Sequence, residues 1–228
     1  RGLPIDDLTW AAMGFAHLRM DNRGQGATWT QGDTPDPYGS GPQVPGFTTK
    51  GITKQDDYYY SRLLVDAVRA VEAGPELPGV DGERIAVVGR SQGGLCALAA
   101  AALAGQSLRA AGVFSPFMTD ILAAITLTDS SPYREISTYL RTRPGDLRAA
   151  TATLSYVDGV NFARRATIPA HFTVGLTDDV TPPRTAFAAF NAYAGAKKTM
   201  AVWEFSGHEG GALGDVMATA EFFREQFN

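Results

Sequence analysis

The run Arg84-Ile-Ala-Val-Val-Gly-Arg-Ser91-Gln-Gly-Gly-Leu-Cys-Ala-Leu-Ala-Ala-Ala reads as strand, sharp turn and helix with a serine at the apex. Ile85, Val87 and Val88 supply a short buried strand. Gly89 and Gly93 flank a turn in which side chains would collide, and the Ala-rich run after Gly94 continues as helix. Such a turn exposes the serine Oγ. It also aims the first free N–H groups of the helix, that of Gln92 above all, at the place where negative charge develops on an attacked carbonyl. The pattern Gly-x-Ser-x-Gly is common by chance, and its plain alternative is a Gly-rich turn that ends a strand. The strand before it and the helix after it give it chemical meaning.

A serine nucleophile needs a base, and the chain has three histidines. His17 (in Phe-Ala-His-Leu-Arg-Met) and His171 (in Ala-His-Phe-Thr-Val-Gly) fall in predicted strands and read as sheet residues. His208 lies in Phe205-Ser-Gly-His-Glu-Gly-Gly, a glycine-rich loop between a predicted strand at 199–205 and a terminal helix, and is the candidate base. The third member must be a carboxylate that orients the imidazole and stabilises its cation. Gly175-Leu-Thr-Asp178-Asp179-Val-Thr-Pro-Pro follows a predicted strand at 171–174 and offers two. Asp178 is the first choice and Asp179 the alternative, because neighbours on a turn cannot both face one histidine. The order Ser91, Asp178, His208 is that of α/β-hydrolases, whereas chymotrypsin-like and subtilisin-like enzymes use other orders.

With 228 residues, 44% of them hydrophobic, the chain can bury a substantial core, and a single domain over 1–228 is expected. A net charge of −4 gives no general attraction for phosphate backbones, which argues against a nucleic-acid partner. The lone cysteine, Cys96, excludes an internal disulfide and reads as a small apolar residue. No apolar run approaches the roughly 20 residues that span a bilayer, so no membrane partner is expected. Three scattered histidines and one cysteine form no metal-ligand cluster, and acyl transfer through a serine needs no cofactor.

Strands alternate with helices, the signature of a mostly parallel sheet covered on both faces. The pattern predicts helix at 8–13, strand at 15–20, a Gly/Pro-rich loop through 22–46 and helix at 56–73 with Tyr60, Leu64, Val68 and Val71 on one stripe. Strand at 110–115, a helical insertion at about 118–165, helix at 185–194 carrying Phe187, Phe190 and Tyr193, and helix at 212–227 complete the prediction.

Several stretches beyond the triad resemble carbohydrate esterase family 7, the acetyl xylan esterases and cephalosporin C deacetylases. They include Trp10-Ala-Ala-Met-Gly-Phe, Arg19-Met-Asp-Asn-Arg-Gly-Gln-Gly, Tyr58-Tyr-Tyr-Ser-Arg, Ser91-Gln-Gly-Gly, Ser131-Pro-Tyr-Arg-Glu-Ile, Leu154-Ser-Tyr-Val-Asp-Gly-Val-Asn-Phe, Thr181-Pro-Pro and Gly207-His-Glu. The resemblance covers nearly the whole chain. Ser91, Asp178 and His208 map onto the family's nucleophile, acid and base. The resemblance implies deacetylation of small acetylated molecules, including xylo-oligosaccharides and cephalosporins. It also implies a narrow acyl pocket lined by Phe117, Pro132 and Val180, and a cytoplasmic homohexamer with inward-facing sites.

Two departures stand out. Arg90 occupies a position that is small in the family, where it would bias substrate charge or point outward. The chain also starts at Arg1-Gly-Leu-Pro, inside the family's loop after an early strand. The expectation is therefore the carboxyl portion of a longer polypeptide, with an N-terminal piece, further strands and the second oxyanion donor upstream of Arg1. Two rival readings are a prolyl-oligopeptidase-like or aminopeptidase-like serine hydrolase, for which the sequence offers no acidic anchor for a peptide amine, and a non-catalytic fragment that keeps the fold.

Overall fold

The computed structural model describes residues 8–26, 32–38 and 46–228. Much of the Gly/Pro-rich stretch, and Arg1-Gly-Leu-Pro, lie outside the described residues. Two compact units result, residues 1–47 and 48–228. The first carries the short helix α1 (Thr9–Ala12), with Trp10 edge-on to Phe15 at 5.9 Å. It is tied by the Asp21 carboxylate, which accepts the Thr34 N–H at 2.9 Å and its hydroxyl at 2.6 Å. Residues 15–20 carry no regular secondary structure and form no strand. Their alternation specifies extended backbone, and a strand further requires a ladder partner, which none of the described residues supplies. His17 is accordingly an exposed loop residue here and not the sheet residue predicted.

The second unit holds a parallel sheet of four strands in the order β1 (Ala86–Arg90), β2 (Ala110–Phe114), β3 (Ala170–Gly175) and β4 (Lys198–Trp203). Parallel neighbours need crossovers, and helices supply them. Helix α2 (Tyr59–Ala73) precedes β1, α3 (Gln92–Leu103) joins β1 to β2, and α8 (Pro183–Ala192) joins β3 to β4. Between β2 and β3 run α4 (Ile121–Leu127), α5 (Tyr133–Thr142), α6 (Leu147–Val157) and α7 (Gly159–Ala163), and α9 (Leu213–Phe227) closes the chain. No helix among the described residues is long and apolar enough to cross a membrane.

Strand alternation sorts the two faces. Ala111, Val113, Ala170 and Phe172 turn toward α3, α7 and α8, packing with Leu98, Ala101, Ala163 and Ala189. Phe172 is fully buried, edge-on to both Phe190 and Tyr193 at 5.4 Å. Its burial is worth about 2–3 kcal/mol. The alternate residues face α9. A side chain at Gly112 would lie 2.8 Å from Thr219, and the His171 ring packs 5.8 Å from Phe222. His171, a sheet residue, bonds Thr199 of β4 through Nδ1 at 2.8 Å, and burial lowers its pKa against the opposing pull of Asp215. The alanines of α3 bring that helix close to the sheet. Val71 of α2 then packs with Ala100 and Leu108. Cys96 is buried in α3, its thiol pushed up to about 12 chiefly by desolvation.

β1 and β4 also depart from the sequence pattern. β1 is half-buried along its whole length and not buried, because among the described residues it pairs with β2 alone. β4 ends at Trp203, where Ser206 N–H turns back to the Trp203 carbonyl, so Phe205 leaves the ladder and is 91% exposed.

Candidate active site

Because all four strands are parallel, the loops after β1, β3 and β4 open on one side of the sheet, the side where ligands of open α/β sheets bind. Ser91 follows β1, Asp178 follows β3 and His208 follows β4. Ser91 has φ 56° and ψ −117°, a conformation costly for any residue with a side chain. Three backbone hydrogen bonds hold it there: its N–H donates to Phe114 O at 2.9 Å, and its carbonyl accepts from Leu95 N–H at 3.2 Å and Phe117 N–H at 2.9 Å. Gly89 is required by this turn, since a Cβ there would lie 2.2 Å from the Gly93 carbonyl oxygen. Gly94 is required too, with a Cβ 2.9 Å from Pro116. Gly93 is not, for a Cβ there meets nothing within 4 Å. The glycine pattern is thus right in kind and wrong at one position. Ser91 shares its positive φ with Ser115, Met118 and Asp120 after β2, and with Ala212 in the loop that carries His208.

Gln92 is the first residue of α3. Its side-chain carbonyl accepts the buried Tyr60 hydroxyl at 3.0 Å, which pins the residue next to Ser91. Tyr60 belongs to an aromatic cluster with Phe117 (6.1 Å), which in turn contacts Tyr133 at 4.5 Å. The Phe117 ring is 1% exposed and packs inside this cluster, while its N–H braces the Ser91 carbonyl.

The two aspartates separate cleanly. Asp178 is buried, and its Oδ2 lies 2.9 Å from His208 Nδ1. Its Oδ1 accepts the N–H groups of Val180 (2.9 Å) and Thr181 (2.8 Å), and Thr181 Oγ1 donates to Oδ2 at 2.7 Å. Burial raises the Asp178 pKa, but the His208 and Thr181 hydrogen bonds outweigh it and hold the carboxyl below its ordinary value. Asp179 is exposed. It accepts Ser130 Oγ at 3.2 Å on its carboxylate and the Thr128 hydroxyl on its carbonyl, tying the segment that carries half-buried Pro132 to the one that carries half-buried Val180. The Ser131–Pro132 peptide is cis.

The His208 loop lies against the end of β3: a Cβ at Gly175 would sit 2.2 Å from Gly207 O and 2.4 Å from Ser206 O. The hydrogen bonds of the His208 ring run to Asp178 and Thr181. Ser91 Oγ is not among its partners. The loop reaches the serine turn through Arg90, whose Nη1 donates to His208 O at 3.1 Å. Thr181 and Tyr60 are the site residues that sequence reasoning missed. Asp-x-x-Thr at turn spacing was the available signal for Thr181, but none existed for Tyr60, 32 positions from Gln92.

The chain has relatives among known proteins. Residues 1–225 match the acetyl xylan esterase (AXE1) family. The acetyl esterase Axe7A of Xylanibacter ruminicola is 29% identical over 197 residues, covering 86% of this chain and 44% of that protein. The chain therefore spans less than half the length of that curated relative. Among solved structures, the acetyl xylan esterase from Paenibacillus sp. R4 is 35% identical with a TM-score of 0.87, covering 99% of this chain and 70% of that one. Acetyl xylan esterase 1 from Thermoanaerobacterium sp. JW/SL YS485 is 30% identical with a TM-score of 0.83, covering 100% and 71%. The match over residues 1–225 and the shared parallel sheet with helices on both faces, part of the α/β-hydrolase fold, show that the chain belongs to the acetyl xylan esterase family.

Proposed function

We propose that the protein is a serine esterase that removes acetyl groups from small acetylated substrates such as xylo-oligosaccharides and cephalosporins. His208 Nε2 takes the proton of Ser91 Oγ, and the oxygen attacks the acetyl carbonyl. The Gln92 N–H at the start of α3 stabilises the oxyanion, and Asp178 stabilises the imidazolium. The tetrahedral intermediate collapses as the imidazolium returns the proton to the leaving alcohol oxygen, leaving an acetyl ester on Ser91. Water then attacks that ester with His208 again as base, the bond from the acyl carbon to Ser91 Oγ breaks, and the imidazolium returns the proton to Ser91 Oγ as acetate leaves. The His208 ring bonds Asp178 and Thr181 and not Ser91 Oγ, so in this reading the Ser91–His208 hydrogen bond forms when substrate fills the site, where base–nucleophile contacts align.

The observation that carries this reading is the Asp178–His208 pair at 2.9 Å, buried on the acid side, on a loop bonded to the residue before Ser91. The half-buried Pro132 and Val180, joined through Asp179, are the walls of the proposed acyl pocket, with Phe117 behind the nucleophile. A homohexamer is part of the proposal and is read by light scattering. The central experiment is labelling by a fluorophosphonate, with turnover of p-nitrophenyl esters from acetyl to octanoyl. Labelling that disappears in Ser91→Ala, and turnover that falls sharply after propionyl, support the reading. An unlabelled, correctly folded wild type would overturn it.

A further inference from the structure

Arg90, expected to bias substrate charge or to point outward, does neither. Its Nη2 lies 2.7 Å from Asp215 Oδ2, its Nη1 donates to His208 O at 3.1 Å, and its guanidinium stacks 5.2 Å from the Phe114 ring centroid. The side chain is 28% exposed and that of Asp215 is fully buried. Asp215, in the first turn of α9, also accepts Trp203 Nε1 at 2.8 Å, Thr173 Oγ1 at 3.0 Å and the Gly211 N–H at 3.1 Å. One carboxylate thereby gathers the end of β1, β3, the end of β4 and the loop after His208. The ion pair is locally neutral, so it is no selector of substrate charge.

We infer that Arg90 and Asp215 are positioning residues for the base, acting through the His208 backbone carbonyl; this rests on the triad reading above. Asp178 fixes the imidazole through Nδ1, and Arg90 fixes the backbone that carries it. Because Arg90 immediately precedes Ser91, base and nucleophile share one rigid link. The glycines after His-Glu serve the same link. Gly210 has φ +54°, and a Cβ there would fall 2.9 Å from Asp215 Oδ2 and 3.2 Å from Arg90 Nη1. A Cβ at Gly211 would fall 2.2 Å from the Trp203 ring. The loop can close over the ion pair only without side chains at these two positions. The planar, forked guanidinium serves two acceptors at once, which a lysine ammonium does with less geometric control.

Arg90→Met, Arg90→Lys and the double variant Arg90→Met/Asp215→Asn distinguish positioning from bulk stability, with kcat and KM for p-nitrophenyl acetate measured beside Tm. Arg90→Met is expected to lower kcat about 30- to 100-fold with KM within about 3-fold, the size of effect that a small misplacement of a catalytic group produces. It also lowers Tm, because Asp215 is left as a buried unpaired charge. The double variant removes that charge, so Tm recovers while kcat stays low, and Arg90→Lys recovers part of kcat. Recovery of kcat together with Tm in the double variant, or Arg90→Met turning over within about 3-fold of wild type, would overturn the inference while Ser91→Ala remains inactive. Full turnover by Ser91→Ala would instead remove the triad reading, and this inference with it.

Discussion

Thr181 holds Asp178 twice, through its N–H to Oδ1 at 2.8 Å and through its hydroxyl to Oδ2 at 2.7 Å. The same hydroxyl lies 3.2 Å from His208 Nδ1, so one buried threonine orients the acid at the point where it meets the base. Thr181→Val removes one charge-assisted hydrogen bond, worth about 1.5–3 kcal/mol. The expected result is a fall in kcat/KM of about 10- to 100-fold, with Thr181→Ser near wild type, read by steady-state kinetics.

Adjacent carboxylates give the sharpest contrast. Asp178→Asn leaves the geometry but imposes the wrong imidazole tautomer and should lower kcat by about 10⁴-fold. Asp179→Asn, which touches Ser130 and not His208, should stay within about 3-fold. Equal losses in the two variants would show that the acid is not Asp178.

The depressed pKa of Asp178 links the site to acid stability. A carboxyl whose folded pKa lies below its unfolded value contributes stability that is fully present above the ordinary 3.8 and is lost as pH falls through the folded value. Asp178→Asn removes that contribution. Its stability relative to wild type should therefore rise as pH is lowered from about 5 to 2, measured by urea unfolding at each pH.

The turn glycines are distinguishable by one methyl group. Gly89→Ala forces a Cβ against the Gly93 carbonyl, and overpacking of this kind costs about 3 kcal/mol or more where backbone must move. Gly93→Ala meets open space inside a helix and should be neutral or stabilising by up to about 1 kcal/mol. Thermal melts of the two variants check both.

Asp158 accepts the N–H groups of Asp120 (3.0 Å), Ile121 (2.8 Å) and Val160 (2.9 Å), joining the starts of α4 and α7. Desolvation raises its pKa, only partly offset by these bonds. Asp158→Ala strands three donors and should cost about 2 kcal/mol of stability, seen as a lower urea midpoint.

The periodicities of the chain were enough to specify its class, its helices and its serine turn, because these follow from local steric and hydrophobic patterning within a few residues. The placement of Ser91 and His208 in loops after strands was legible for the same reason: glycine-rich loops after apolar strands are local signals. The choice between Asp178 and Asp179 was not local, since both sit on one turn and only the closing of the His208 loop against β3 decides which carboxylate is buried beside the imidazole. Nor was the missing pairing of residues 15–20, because a ladder is a property of two segments. Arg90, Tyr60 and Asp215 lie farthest from local reading. Their partners are 118, 32 and 125 positions away, and such contacts exist only once parallel strands bring distant loops to one side of the sheet.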